Sequence, residues 1–333
     1  MEKQTVTIYD VAREAHVSMA TVSRVVNGNS NVRQNTRNKV LRVIKDLNYH
    51  PNAVARGLAS KKTTTVGVII PDVTNIYFSE LARGINDIAE MYKYNIILAS
   101  SDGNTEKECR VFNSLLAKQV DGIVFMGRDV TTNLRKAFND AKVPVVLAGT
   151  TSKDPVEPSV NIDYRAATDE AVSQLLNNGC QKVGLVCGAL KYSINREYRL
   201  AGYRDALLKK QVEFDEHLLF ETSESYQDGY DLAPRLIQNG IQGAFVSDDE
   251  LAAGILNGLT DASVNVPTAF QLITGNNTKF TRVVRPELSS IDQPLYDIGA
   301  VAMRLLTKLM DHDVVANKNV VLAHQIINRN STN

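Results

Sequence analysis

From Thr65 onward, short continuous apolar runs alternate with stretches of helical periodicity, and few folds accommodate that alternation. TVGVIIPD, NIILASSD, DGIVFMG and PVVLAGT come first, and KVGLVCG, GAFVSDD and FQLITGN repeat the texture. A run without polar alternation has to be covered on both faces, so each predicts a parallel strand with helices above and below. Two series of such β/α units, near 63–160 and 161–290, predict an α/β body of two lobes, each a doubly wound parallel sheet. A helix over 294–310 and a strand in NVVLAHQI complete them. The first lobe then takes about 63–160 and 291–318, the second about 161–290 and 319–333. Ligands of such folds lie at the carboxyl ends of the strands, here in the crevice between the lobes.

Residues 1–50 read differently. In TVTIYDVAREAHVSMATVSRVVNG, Thr7 and Asp10 form a capping-box-like helix start, and Ile8, Val11, Ala12 and Ala15 make an inner stripe. Ala15-His16-Val17 is a tight connection; His16 stands where such turns often carry Gly, and His tolerates the left-handed region better than most residues. Ser18 suits the N-cap of a second helix through about Val26, with Ala20, Val22, Val25 and Val26 largely inward. Met19, Thr21, Ser23, Arg24 and Asn27 remain available to a partner. A third helix over 36–47 presents Val40, Leu41, Ile44 and Leu47 to the other two. Helices joined this tightly fit either a solvated hairpin or a helix-turn-helix whose second helix enters the DNA major groove. In the second case Met19, Ala20, Thr21 and Arg24 reach base edges, with Arg24 suited to guanine. Thr7, Ser18, Ser23, Asn27, Arg33 and Arg37 then serve the DNA backbone.

Charge bears on that choice. Residues 1–62 hold 11 Lys/Arg against 4 Asp/Glu and the remainder 26 against 33, so the neutral chain is a basic head on an acidic body. Cys109, Cys180 and Cys187 lack metal-ligand spacing and suit a reducing cytosol as small core residues. MEKQTVTIYD has no apolar leader core and no 18-residue apolar run occurs, so a cytoplasmic chain without a membrane partner is expected. With no GxGxxG after the first strand, no P-loop, no GxSxG elbow and no histidine cluster, neither enzyme, metal nor cofactor is expected.

Between head and body, residues 51–62 read PNAVARGLASKK. Pro51 can open a helical turn, but Gly57 and the polar run make the helix marginal alone, as befits a hinge that folds only with its partners. Leu58, an apolar side chain in a basic linker, either packs on a dimer mate or wedges between base pairs in the minor groove.

The string YDVAREA..VSMATVSRVVNG closely resembles the head of the LacI/GalR family of bacterial repressors, and PNAVARGLA is similar to their hinge helix. The resemblance implies a three-helix head, a hinge helix and a two-lobed body like a periplasmic binding protein. It also implies a homodimer on a pseudopalindromic operator, with Leu58 as the wedge and Asn52, Ala53 and Arg56 near the backbone or groove. Sugar-responsive members commonly carry Gly-(Phe/Tyr)-Asp on the late strand; here it is Thr274-Gly275-Asn276-Asn277. Their arginine-bearing helix start corresponds to Ser193-Ile194-Asn195-Arg196-Glu197, with Glu197 at the Arg position and Arg196 beside it. Asp72, Asn195, Arg196, Asp248 and Asn276 are the candidates for an effector cleft without the usual sugar site, although Asp72 and Asp248 equally suit helix caps. Control by a free sugar or sugar phosphate is the alternative.

In QPLYDIGAVAMRLLTKLM, Ile298, Val301, Ala302, Leu305 and Leu309 form one stripe, and Tyr296, Ala300, Arg304 and Lys308 another, with Met303 and Thr307 beside it. Arg304 and Lys308, one turn apart, either reach a single phosphate or complement the helix dipole. With MYKYNIIL and KQVDGIVFMG, this helix resembles the branch of the family that governs carbon catabolism in Gram-positive bacteria. That implies a protein corepressor, the phosphocarrier HPr phosphorylated on serine. It would dock on Tyr296, Asp297, Val301, Met303, Arg304 and Lys308, with Asp87 and Met91 of the helix over 77–92 adding contacts.

Overall fold

The computed structural model describes residues 6–50, 62–152 and 157–333, and the chain divides into two compact units, 1–63 and 64–333. Asn52, Ala53, Arg56 and Leu58 of the hinge lie outside the described residues.

The first unit contains α1 (Ile8–Glu14), α2 (Met19–Val26) and α3 (Gln34–Asp46). The Thr7 backbone N–H donates to the Asp10 carboxylate at 2.9 Å, and the Ser18 hydroxyl accepts from the Thr21 N–H at 3.2 Å. Each helix start therefore satisfies backbone groups that would otherwise be orphaned. His16 takes φ 50° in the turn between them, as its residue type permits. Val11, Ala12, Ala15, Val22, Val25, Val40, Val43 and Tyr49 form the core.

Three positions depart from the expected periodicity. Ala20 is exposed, because it lies two residues from the inward Val22 and so on the other side of α2. Ile8 is only half-buried at the first turn. Leu41 is 48 % exposed and Val43 is buried in its stead. The stripe of α3 is 40, 43, 44 and 47, and Leu41 lies one residue outside it.

The second unit has two sheets. The first is built by β1 (Thr65–Ile70), α4 (Ile76–Met91), β2 (Asn95–Ser100), α5 (Thr105–Ala117), β3 (Gly122–Phe125), α6 (Thr132–Asp140), β4 (Val145–Ala148) and β5 (Ser159–Ile162). The second follows with α7 (Tyr164–Asn177), β6 (Val183–Gly188), a π-helical turn (Ile194–Arg199), α8 (Leu200–Lys209), β7 (Leu219–Thr222), α9 (Tyr226–Gln238) and β8 (Gly243–Val246). It continues through α10 (Asp249–Asp261), β9 (Gln271–Thr274), α11 (Phe280–Val283) and β10 (Ser289–Asp292). Last come α12 (Leu295–Met310), β11 (Asn319–Leu322) and β12 (Gln325–Ile327). The orders are β2-β1-β3-β4-β5-β11 and β7-β6-β8-β9-β10-β12, parallel throughout except for β12. Both have the doubly wound order with a switch point, between β1 and β3 in one and β6 and β8 in the other. Central β6 is buried along its whole length, as a strand covered on both faces must be.

NVVLAHQI is two strands rather than one. β11 pairs with β5 of the first sheet, and β12 runs antiparallel to β10 of the second. Residues 319–322 thus join the first lobe and 291–292 the second, opposite to the assignment expected from order along the chain. Short apolar runs satisfy either sheet, so periodicity does not register where the chain crosses.

α4 and α12 meet backbone to backbone on the first lobe. A Cβ on Gly84 would fall 2.0 Å from the Tyr296 carbonyl oxygen, and one on Gly299 1.9 Å from that of Leu81. Cys180 and Cys187 are buried, and burial pushes the Cys187 thiol up to about 12, which keeps it an inert core group. Among the described residues no helix is long and apolar enough to cross a membrane.

Candidate functional site

Three surfaces carry the candidate residues. On α2, Met19, Ala20, Arg24 and Asn27 are exposed, and Thr21 and Ser23 are half-buried. The Ser18 and Thr21 hydroxyls lie 2.9 Å apart, and Asn27 donates to the Ser23 hydroxyl at 3.3 Å, so the small polar groups are pre-positioned while Arg24 has no partner among the described residues. Thr7 donates its hydroxyl to Asp10 at 2.7 Å, and these Thr7 hydrogen bonds, with Arg13 nearby, hold the Asp10 carboxyl below its usual range. Arg33 is exposed at the start of α3; Arg37 donates to the Asn29 carbonyl, leaving part of its guanidinium for other acceptors. Tyr9 on α1, outside the inner stripe, is 66 % exposed.

The second surface is a cavity of about 100 Å³ at the carboxyl ends of the strands. It is lined by Tyr77 and Arg128 of the first lobe and by Asn195, Arg199, Glu224, Asp248 and Asn276. Asn195, Asp248 and Asn276 are thus brought together, whereas Asp72 and Arg196 are not. Asp72 is exposed, its carboxylate accepting the N–H and hydroxyl of Thr74, both at 2.8 Å. Arg196 points outward and pairs with Glu197 at 3.3 Å. The cleft arginine is Arg199, which donates to Asn195 at 2.8 Å and lies over the Tyr164 ring. The π-helical turn, whose phase no periodicity rule anticipates, places Asn195 and Arg199 inward.

Asp248 caps α10, accepting from the N–H groups of Glu250 at 2.9 Å and Leu251 at 3.2 Å. Burial, aided by the charges of Asp249 and Glu224, pushes its carboxyl up to about 7. Asn276 donates to Asp248 at 3.3 Å and accepts from Gln293 at 2.9 Å. Its amide is therefore committed within the protein. Glu224, which the sequence did not single out, lies 3.5 Å from Arg128.

The third surface is the outer face of α12. Tyr296, Asp297, Arg304 and Lys308 are exposed and Val301 is half-buried, which leaves an outward line at 297, 301, 304 and 308. Met303 is fully buried, as are Ala300 and Thr307, whose hydroxyl donates to the Met303 carbonyl at 2.9 Å. Met303 therefore packs inward, in the core, and is not a surface contact. Tyr296 donates to Asp87 of α4 at 3.1 Å, and Met91 is 57 % exposed. Neither Arg304 nor Lys308 has an acidic partner among the described residues.

Residues 7–52 match the model of bacterial regulatory proteins of the lacI family, and residues 172–332 that of a periplasmic binding protein-like domain. Over 328 residues the chain is 56 % identical to catabolite control protein A of Streptococcus mutans, covering 98 % of each. Transcription regulator CcpA of Lactococcus lactis superimposes with a TM-score of 0.78 at 47 % identity, over 81 % of this chain and 99 % of that one. The lac repressor dimer bound to operator and the anti-inducer ONPF gives 0.89 at 26 % identity, over 99 % of each chain. These relatives regulate transcription rather than catalyse a reaction, and the chain belongs to the LacI family of bacterial regulatory proteins, as a DNA-binding regulator of the catabolite-control type.

Proposed function

We propose that this cytoplasmic regulator binds a pseudopalindromic operator as a homodimer, and that serine-phosphorylated HPr docked on α12 and α4 tightens that binding. The observation that carries the corepressor reading is the exposed Arg304–Lys308 pair, one turn apart on the helix whose first turn holds the Tyr296–Asp87 hydrogen bond. A phosphoserine brings a charge of about −2 and three acceptor oxygens, which two unengaged cations one turn apart suit. Asp297, Val301 and Met91 supply the surrounding contacts. Each α2 enters a major-groove half-site, with Met19, Ala20, Thr21 and Arg24 at base edges and Thr7, Ser18, Ser23, Asn27, Arg33 and Arg37 along the backbone. Leu58 is the minor-groove wedge, flanked by Asn52, Ala53 and Arg56. By linkage, operator DNA tightens corepressor binding by the same factor.

The test is operator affinity at fixed salt with HPr, serine-phosphorylated HPr or neither, for the wild type and Arg304→Ala/Lys308→Ala. Only the phosphorylated form should tighten binding, and only in the wild type. A response to glucose 6-phosphate alone would transfer control to the cleft. Against that second reading stands the internal engagement of the cleft's polar groups: Asn276 is shared between Asp248 and Gln293, and Arg199 donates to Asn195.

A further inference from the structure

The cleft already holds an anion, and the chain itself supplies it. Glu224 follows β7; its carboxylate accepts the Ser247 hydroxyl at 2.9 Å and lies 3.5 Å from Arg128 Nη1 and 3.9 Å from Arg199 Nη1. Arg128 comes from the loop after β3, in the first lobe, whereas Glu224, Ser247 and Arg199 belong to the second. One hydroxyl and two guanidinium groups are the donor set with which proteins grip a small oxyanion.

Two features mark the position as built. The Glu224 backbone takes φ 68°, a left-handed conformation that a non-glycine residue adopts at a cost and keeps only where its surroundings impose it. Gly188, the last residue of β6, leaves the space: a Cβ there would fall 2.8 Å from both the Glu224 carboxyl carbon and Oε2. A second bridge lies beside it, where buried Ser193 of the second lobe meets Asp129 at 3.2 Å and Thr151 at 3.0 Å in the first.

We propose that Glu224 is a tethered ligand of the cleft: its carboxylate occupies a small-anion site made by Arg128, Arg199 and Ser247, and by bridging the lobes it holds the body closed without a small molecule. Because it is tethered, its effective concentration exceeds that of free carboxylates, which compete poorly while it is in place. Removing it opens a site for a free carboxylate.

The test is thermal melting of the full chain in sodium acetate or sodium chloride of equal ionic strength. Glu224→Ala should gain about 3 °C in acetate over chloride, and the wild type much less. Glu224→Gly also removes the carboxylate and relieves the left-handed backbone at φ 68°, so it should gain the same acetate response; this variant carries the test if Glu224→Ala does not fold. Arg128→Ala added to either should abolish the gain. A wild-type response equal to that of the variants overturns the proposal. So does a folded Glu224→Gly protein indifferent to acetate.

Discussion

The body uses its cations in two opposite ways. In the cleft, Arg128 and Arg199 face Glu224, and Asn276 is shared between Asp248 and Gln293. On α12, Arg304 and Lys308 stand in solvent with no acidic partner among the described residues. The difference follows from solvation. A charge withdrawn from water must be paired, whereas an exposed one keeps its hydration and costs little to leave open. The cleft therefore pairs its arginines within the protein, and the outer face of α12 retains unspent charge.

Four substitutions would break or sharpen that contrast. The largest effect is expected from Gly299→Ala, whose Cβ would fall 1.9 Å from a backbone oxygen of α4. Overpacking of this kind should cost about 3 kcal/mol in urea unfolding and pull Tyr296 away from Asp87. Arg304→Glu should weaken binding of serine-phosphorylated HPr by about 100-fold, with a much smaller change for the unphosphorylated protein, as titration calorimetry would show.

The third addresses the cleft. Asp248 titrates near 7 in the folded protein against a reference of 3.8, so between those values the native state binds a proton that the unfolded chain releases. Stability contributed by the protonated form is then full at low pH, declines as pH rises from about 4, and is lost above about 7. Asp248→Asn keeps a good cap for α10 and removes this penalty. It should be more stable than wild type at pH 8 by on the order of 1–2 kcal/mol and no more stable at pH 4, by denaturant melts. The smallest effect belongs to Tyr296→Phe, which removes one exposed hydrogen bond to Asp87; corepressor affinity should fall by about threefold.

Much of this contrast was legible in the sequence, and the part that was not has physical causes. Capping residues and apolar spacing mark α1 and α2, because local hydrogen bonds and helix period determine them. The buried strands declare themselves by unbroken apolar runs, and Arg304 and Lys308 by one-turn spacing. Leu41 and Val43 differ by a small rotation about α3, which two adjacent apolar residues leave ambiguous. Met303 was misplaced outward for a related reason: α12 lies so close to α4 at Gly84 and Gly299 that its buried arc is wider than one stripe. Arg199 and Glu224 were missed because the first sits on a π-helical turn and the second in a left-handed loop position, neither of which has a periodic signature.

The most direct measurement is calorimetric titration of serine-phosphorylated HPr into the wild type, Arg304→Ala/Lys308→Ala and Asp248→Asn. If the signal arrives at the outer face of α12, Kd should rise by about 100-fold in the double variant and stay at the wild-type value in Asp248→Asn. Equal affinity of the double variant and the wild type would contradict the account.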